Sequence, residues 1–162
     1  MMARLSRSHK KYEGGFTVLE FLIVVAIAGL LAAIMILILD PVRLTAEVRN
    51  RQRETDVNAI VNLIYRNISD NHGAFSCAAG VIPTSTRNMS DNNPAVGDYD
   101  IAGCLVPKYI SSLPFDPSAS SAQYASTTNY DLQYSIQQST TTGRITISAP
   151  NVEQGSTIEA TR

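Results

Sequence analysis

No tryptophan occurs among the 162 residues, and there are two histidines (His9, His72) and two cysteines (Cys77, Cys104). That inventory cannot build a zinc cluster without recruiting carboxylates. An excess of either charge is lacking too: 13 Lys and Arg stand against 14 Asp and Glu, net −1. A domain that binds nucleic acid by neutralising phosphates carries a strongly basic footprint, so the balance argues against that class. Catalytic constellations are also missing. His9 lies near the N-terminus and His72 stands alone in an Asn/Asp/Gly turn. Neither a glycine-rich phosphate loop nor an HExxH pattern is present. Asp98 and Asp100 flank Tyr99 as a weak acid–base pair and read as solvated. An enzyme is not expected. The length allows one domain, or one domain with an appendage.

What is present is unevenly distributed. The first 15 residues carry Arg4, Arg7, Lys10 and Lys11 against Glu13, net +3, while the rest hold nine basic and thirteen acidic side chains, net −4. From Phe21 to Leu39 run 19 residues with no charged or strongly polar side chain. As a helix they span roughly 28 Å, close to the ~30 Å hydrocarbon core of a bilayer. A soluble core helix is seldom apolar on every face over such a length. The preceding basic residues place the N-terminus in the cytoplasm and everything after Asp40 outside, by the positive-inside rule. An ordinary secretory signal has its small-residue cleavage site after the apolar run. Here the run ends in Leu39-Asp40-Pro41-Val42-Arg43, and the small pair, Gly14-Gly15, precedes it.

Asp40 and Pro41 mark either the start of a new helical segment or a bend in one helix. Val57, Ile60, Val61, Ile64 and Ile68 recur at spacings of three and four. Arg49, Arg51, Arg53, Glu54, Asp56, Asn58 and Arg66 read as mostly off this stripe, so the segment is an amphipathic helix. A helix from Phe16 to Ser69 would be about 80 Å long. Residues 71–129 are rich in Ser, Asn, Gly, Pro and Asp and read as mostly loop, with a short helix or turn at Val106–Ile110. Strand signals follow at Tyr130–Gln137, Arg144–Ser148 and Thr157–Thr161, with a turn at Thr142-Gly143. The expected architecture is α+β: a long N-terminal helix with a small antiparallel sheet packed on its distal half. Its segments are residues 1–15 as a leader, 16–40 as an apolar helix, 41–70 as the amphipathic half, and 71–162 as an extracytoplasmic domain.

Gly14-Gly15-Phe16-Thr17-Val18-Leu19-Glu20, followed at once by the apolar run, resembles the class III signal sequence of type IV pilins and type II secretion pseudopilins. The resemblance implies a pilin-like fold, cleavage after Gly15 by a prepilin peptidase, and N-methylation of Phe16. It also implies a platform protein and an assembly ATPase as partners. The subunit would sit in the cytoplasmic membrane by one pass and then polymerise into an extracellular pilus or a periplasm-spanning pseudopilus. Glu20 supports this independently: it is the only charge between Glu13 and Asp40, and a carboxylate entering an apolar segment is costly unless paired. Cleavage would create an amine on Phe16, four residues earlier and on the same helix face. Glu20 of the same or the next subunit could neutralise it; the alternative is a carboxylate that snorkels at the membrane edge.

Cys77 and Cys104 would lie outside the cytoplasm. A disulfide closing 26 intervening residues is the economical reading, worth about 3 kcal/mol through lost chain entropy in the unfolded state, and two free thiols are the alternative. No cofactor is required. Major pseudopilins bind calcium beside the sheet, and Asp116 and Asp131 could form a similar oxygen-rich site. The other reading is solvated loop carboxylates, with Asp116 capping a turn before Pro117. Ser118–Thr128 is either a glycosylated surface or a flexible loop. A rival to the filament subunit is a monomeric, membrane-anchored binding domain. DNA contact through Arg87, Lys108 and Arg144 is disfavoured by the net −4 of the mature chain.

Overall fold

The computed structural model describes residues 15–91 and 97–162. The basic leader, His9 and Gly14 lie outside the described residues. The chain divides into an N-terminal unit ending at Pro41 and a second unit from Val42 to Arg162.

The first unit carries α1, Val18–Leu39, whose residues other than Glu20 are all apolar or small. The long N-terminal helix is interrupted once, at Asp40, so that Pro41 starts a new helical segment, one of the two readings that Asp40-Pro41 allows. Asp40 adopts φ 38°, ψ 75°, a left-handed conformation that ends α1. Aspartate tolerates this region better than most residues because its short side chain bonds locally. Pro41 then opens α2, Pro41–Asp70. Its fixed φ suits a first helical position, and its missing N–H would have no intrahelical partner there.

The second unit holds most of α2, a one-turn helix α3 (Ala102–Leu105) and five short strands. These are β1 (Arg87–Ser90), β2 (Gln123–Ser126), β3 (Asn129–Gln138), β4 (Ile145–Ser148) and β5 (Glu159–Thr161). The sheet is antiparallel in the order β1-β3-β4-β5, with β2 also paired to β3. Along β3, Tyr130, Leu132, Tyr134 and Ile136 point into the core. Ile145 and Ile147 of β4 do the same, while Thr146 and Ser148 alternate outward. These residues share one apolar core with Val57, Ile60, Val61 and Ile64 of α2, as the spacing predicts. Strands β1 and β2 and helix α3 fall in the stretch expected to be mostly loop. Each has four residues, too short for a periodic signal, and only Met89 and Tyr124 stand out as large apolar residues in β1 and β2.

The buried face of α2 is not purely apolar. Arg53, Asp56 and Asn67 are buried on it, which corrects the placement of Arg53 and Asp56 off the stripe. Each has dedicated partners. Arg53 forks onto Asp116, with Nε 2.8 Å from Oδ2 and Nη2 3.1 Å from Oδ1, and both side chains are fully shielded from solvent. Its remaining N–H groups donate to Ser118 Oγ, Asn50 Oδ1 and Glu153. Asp56 accepts from Gln52 and from the Tyr134 hydroxyl, at 2.7 and 2.9 Å. Two asparagines act as clasps. Asn50 donates to the Glu153 carbonyl and accepts from its N–H. Asn67 does the same to Ser76. Burying such groups without partners would cost a few kcal/mol apiece, so these bonds are what make the polar face compatible with a core.

Two predictions follow from the Arg53–Asp116 pair. Arg53→Met leaves a buried carboxylate without its cation, so unfolding free energy in detergent should fall by about 3–5 kcal/mol. Adding Asp116→Asn to that variant should restore part of the loss; a cost below about 1 kcal/mol for the single change would show the pair to be dispensable. Second, burial pushes the Asp116 carboxyl up, but the Arg53 guanidinium and the Ser118 and Ala119 amides outweigh it and hold it below the usual carboxylate range. The unfolded chain therefore takes up this proton at higher pH than the native one. The stability Asp116 contributes is complete above about pH 5 and is lost as pH falls through its depressed native value. Burial pushes Asp56 up, which carries the opposite sign, so the comparison is wild type against Asp116→Asn. Urea titrations between about pH 3 and 6 should show a steeper acid loss in wild type; parallel profiles would contradict the assignment.

Candidate processing and assembly site

The peptide before α1 is extended. Thr17 has φ −83°, ψ 147° and caps the helix, its Oγ1 accepting the Glu20 N–H at 3.2 Å. Thr17-Val18-Leu19-Glu20 is thus a capping-box sequence, with a hydroxyl at the cap and a carboxylate three residues on. The Thr17 carbonyl accepts from Phe21, closing the first turn. Phe16 consequently lies outside the helix, 69 % exposed, which corrects the expectation that it shares a helix face with Glu20. The Gly15–Phe16 peptide bond sits in this exposed, non-helical stretch, and among the described residues none beyond the chain neighbours comes within 4 Å of where a Cβ on Gly15 would be. Gly14 lies outside the described residues. The only carboxylate in the first turn of α1 is Glu20, where the positive end of the helix dipole favours a negative charge.

Beyond Glu20, α1 has no charge. Val18–Ile36 has a mean hydropathy of 2.8, and none of it is buried. At 22 residues α1 is about 33 Å long, enough to cross a hydrocarbon core. A helix this apolar with no covering surface of its own needs lipid or other apolar helices around it.

The other residues singled out from sequence are in the second unit. Cys77, in the loop after α2, and Cys104, in α3, form a disulfide with Cα atoms 5.0 Å apart. Asp116 is not a solvated loop carboxylate. Besides holding Arg53, its Oδ1 accepts the Ser118 and Ala119 amides, capping the turn after Pro117. Any cation there would have to displace the guanidinium. Asp131 is 8 % exposed and accepts from Asn88 and from the Gln133 amide and side chain. Among the described residues no three His, Cys, Asp or Glu side chains are grouped to hold a metal. This donor set does not fit calcium. Asp100 is likewise engaged, accepting the Tyr130 hydroxyl at 2.8 Å, and the Tyr99 hydroxyl donates to the Gly80 carbonyl. His72 is exposed in the turn after α2, at φ 57°. Arg87 and Arg144 lie near the end of β3, whereas Lys108 pairs with Asp70 of α2 at 3.6 Å and stacks on Tyr109. Most of Ser118–Thr128 is exposed, with β2 inside it.

The signal that would have placed the helix start was in the sequence as Thr17-x-x-Glu20. The long-range partners of Arg53 and Asp56 have no local signal, because Asp116 and Tyr134 lie 63 and 78 residues away.

No curated protein and no solved structure matches the chain. Residues 10–36 match the prokaryotic N-terminal methylation motif, spanning Gly14, Gly15, Phe16, Glu20 and most of α1. Proteins with this motif are structural subunits rather than enzymes. The segment that begins as a basic leader and ends inside α1 is the class III signal sequence of type IV pilins and pseudopilins.

Proposed function

We propose that the chain is a prepilin-like structural subunit: cut after Gly15 by a prepilin peptidase, N-methylated on Phe16 and polymerised into a type IV pilus. The observation that carries this reading is the methylation motif placed on an uncovered apolar helix with one carboxylate in its first turn. Before assembly α1 is the membrane anchor, with the N-terminus in the cytoplasm and the second unit outside. After assembly the same helices pack on one another, so a single apolar surface meets lipid first and protein later. A platform protein and an assembly ATPase supply the work of extraction.

Glu20 has one task on this reading. Cleavage leaves a cationic amine on Phe16, just outside the helix, where the helix dipole adds further positive potential. Moved into an apolar filament core, that amine requires a carboxylate, and Glu20 of an adjoining subunit supplies it. The pairing fixes the axial register between subunits, because sliding by even one turn would strand both charges.

The test is Glu20→Ala in the native membrane. The variant should insert and lose its leader as wild type does, while the yield of sheared filaments falls at least about tenfold. Wild-type yield would sink the charge-pairing role, and a variant that is never cleaved would move Glu20 to the peptidase step.

A further inference from the structure

Cys77 and Cys104 belong to different segments, and the bond between them is not the only thing that holds those segments together. Asn67, 3 % exposed on the inner face of α2, reaches both. Its Nδ2 donates to the carbonyl of Ser76, the residue before Cys77, at 3.1 Å, and to the carbonyl of Cys104 itself at 3.2 Å. Its Oδ1 accepts the Ser76 N–H at 2.9 Å. A side-chain amide has two N–H donors and one carbonyl acceptor, and here all are spent on positioning these two segments, with Asn71 adding a second donor to Oδ1. The Cys77 Sγ also lies 3.7 Å from the Asp100 carbonyl, an acceptor for the thiol in the reduced chain. Both cysteines border an open cleft of about 210 Å³, lined also by Ser76, Ala78, Gly103 and Lys108.

We propose that Asn67 is a template for this disulfide: it aligns the two cysteine segments on the folded helix, so that oxidation closes a geometry already present. The reaction is thiol–disulfide exchange with a small disulfide such as glutathione disulfide. One cysteine thiolate attacks a sulfur of the oxidant and expels one thiol, forming a mixed disulfide. The second cysteine thiolate attacks the protein sulfur of that intermediate and expels the other thiol. The two cysteine protons end on the two released thiols; the chain loses two electrons and the oxidant gains them. Templating acts on the second step, which is intramolecular and depends on how often the sulfurs meet. Asn67 is a positioning residue and touches neither sulfur.

The full chain in detergent, equilibrated across glutathione redox buffers and read by alkylation and mass spectrometry, gives the effective concentration of one thiol at the other. Asn67→Ala should lower it at least about tenfold. Asn50→Ala removes the equivalent clasp on Glu153, far from both cysteines, and should change it by less than about twofold while still destabilising the domain. Equal losses in the two variants would show general loosening and overturn the proposal, as would no loss in Asn67→Ala. Should Asn67→Ala not fold, the Cys77→Ser/Cys104→Ser chain decides the matter by hydrogen exchange. The Ser76 amide should stay protected there, held by Asn67 without any disulfide. Exchange at the rate of an open loop would mean that the covalent bond, and not Asn67, sets the geometry.

Discussion

The second unit depends on a guanidinium buried where a hydrophobic side chain would ordinarily sit. Arg53 occupies the inner face of α2 and meets three parts of the chain at once: Asn50 on its own helix, Asp116 and Ser118 in the loop before β2, and Glu153 in the loop between β4 and β5. An arginine suits this position because its flat, five-donor fork satisfies several acceptors in fixed directions. The arrangement costs desolvation that an apolar pair would avoid, so its value lies less in net stability than in pinning two long loops to specific sites on the helix. Asn67 repeats the principle further along α2 with a neutral amide, gripping the loop that carries Cys77. With every strand but β3 only three or four residues long, polar clasps and one disulfide do the ordering that a larger sheet would do by packing alone.

The first unit obeys the opposite rule. From Phe21 to Ile36, α1 has no buried surface and no charge, so among the described residues nothing in its own unit restricts what it packs against. That indifference is what the proposed subunit requires, since lipid tails and neighbouring apolar helices are nearly equivalent environments. Specificity is left to the start of the helix, where Thr17 fixes the first turn and Glu20 supplies the lone charge. The left-handed Asp40 and the Pro41 that follows end the apolar segment before the amphipathic one begins.

The legible parts of the sequence were those with a period or a contrast. The stripe from Val57 to Ile64, the alternation in β3 and β4, and the uncharged run after Glu20 all announced themselves this way. Glycines at 14 and 15 were readable because they stand on the wrong side of the apolar run for ordinary secretion. Strands β1 and β2 were not, since four residues at a sheet edge carry no measurable alternation. Arg53 and Asp56 are illegible in the same way, because a charged side chain ordinarily signals exposure. Their positions, four and one residues before Val57, continue the buried stripe, and the distant Asp116 and Tyr134 are among the partners that let charges be tolerated there. The same long-range pairing engages Asp116, which the sequence offers as a free oxygen donor, with the Arg53 guanidinium.

The proposed filament subunit requires maturation at the Gly15–Phe16 bond, and N-terminal peptide mass spectrometry of the chain from its native membrane reads it out. A chain beginning at methylated Phe16 is the predicted result. One beginning at Met1 or Met2, with the basic leader still attached ahead of α1, would contradict it and leave a monomeric anchored domain in place of the filament subunit.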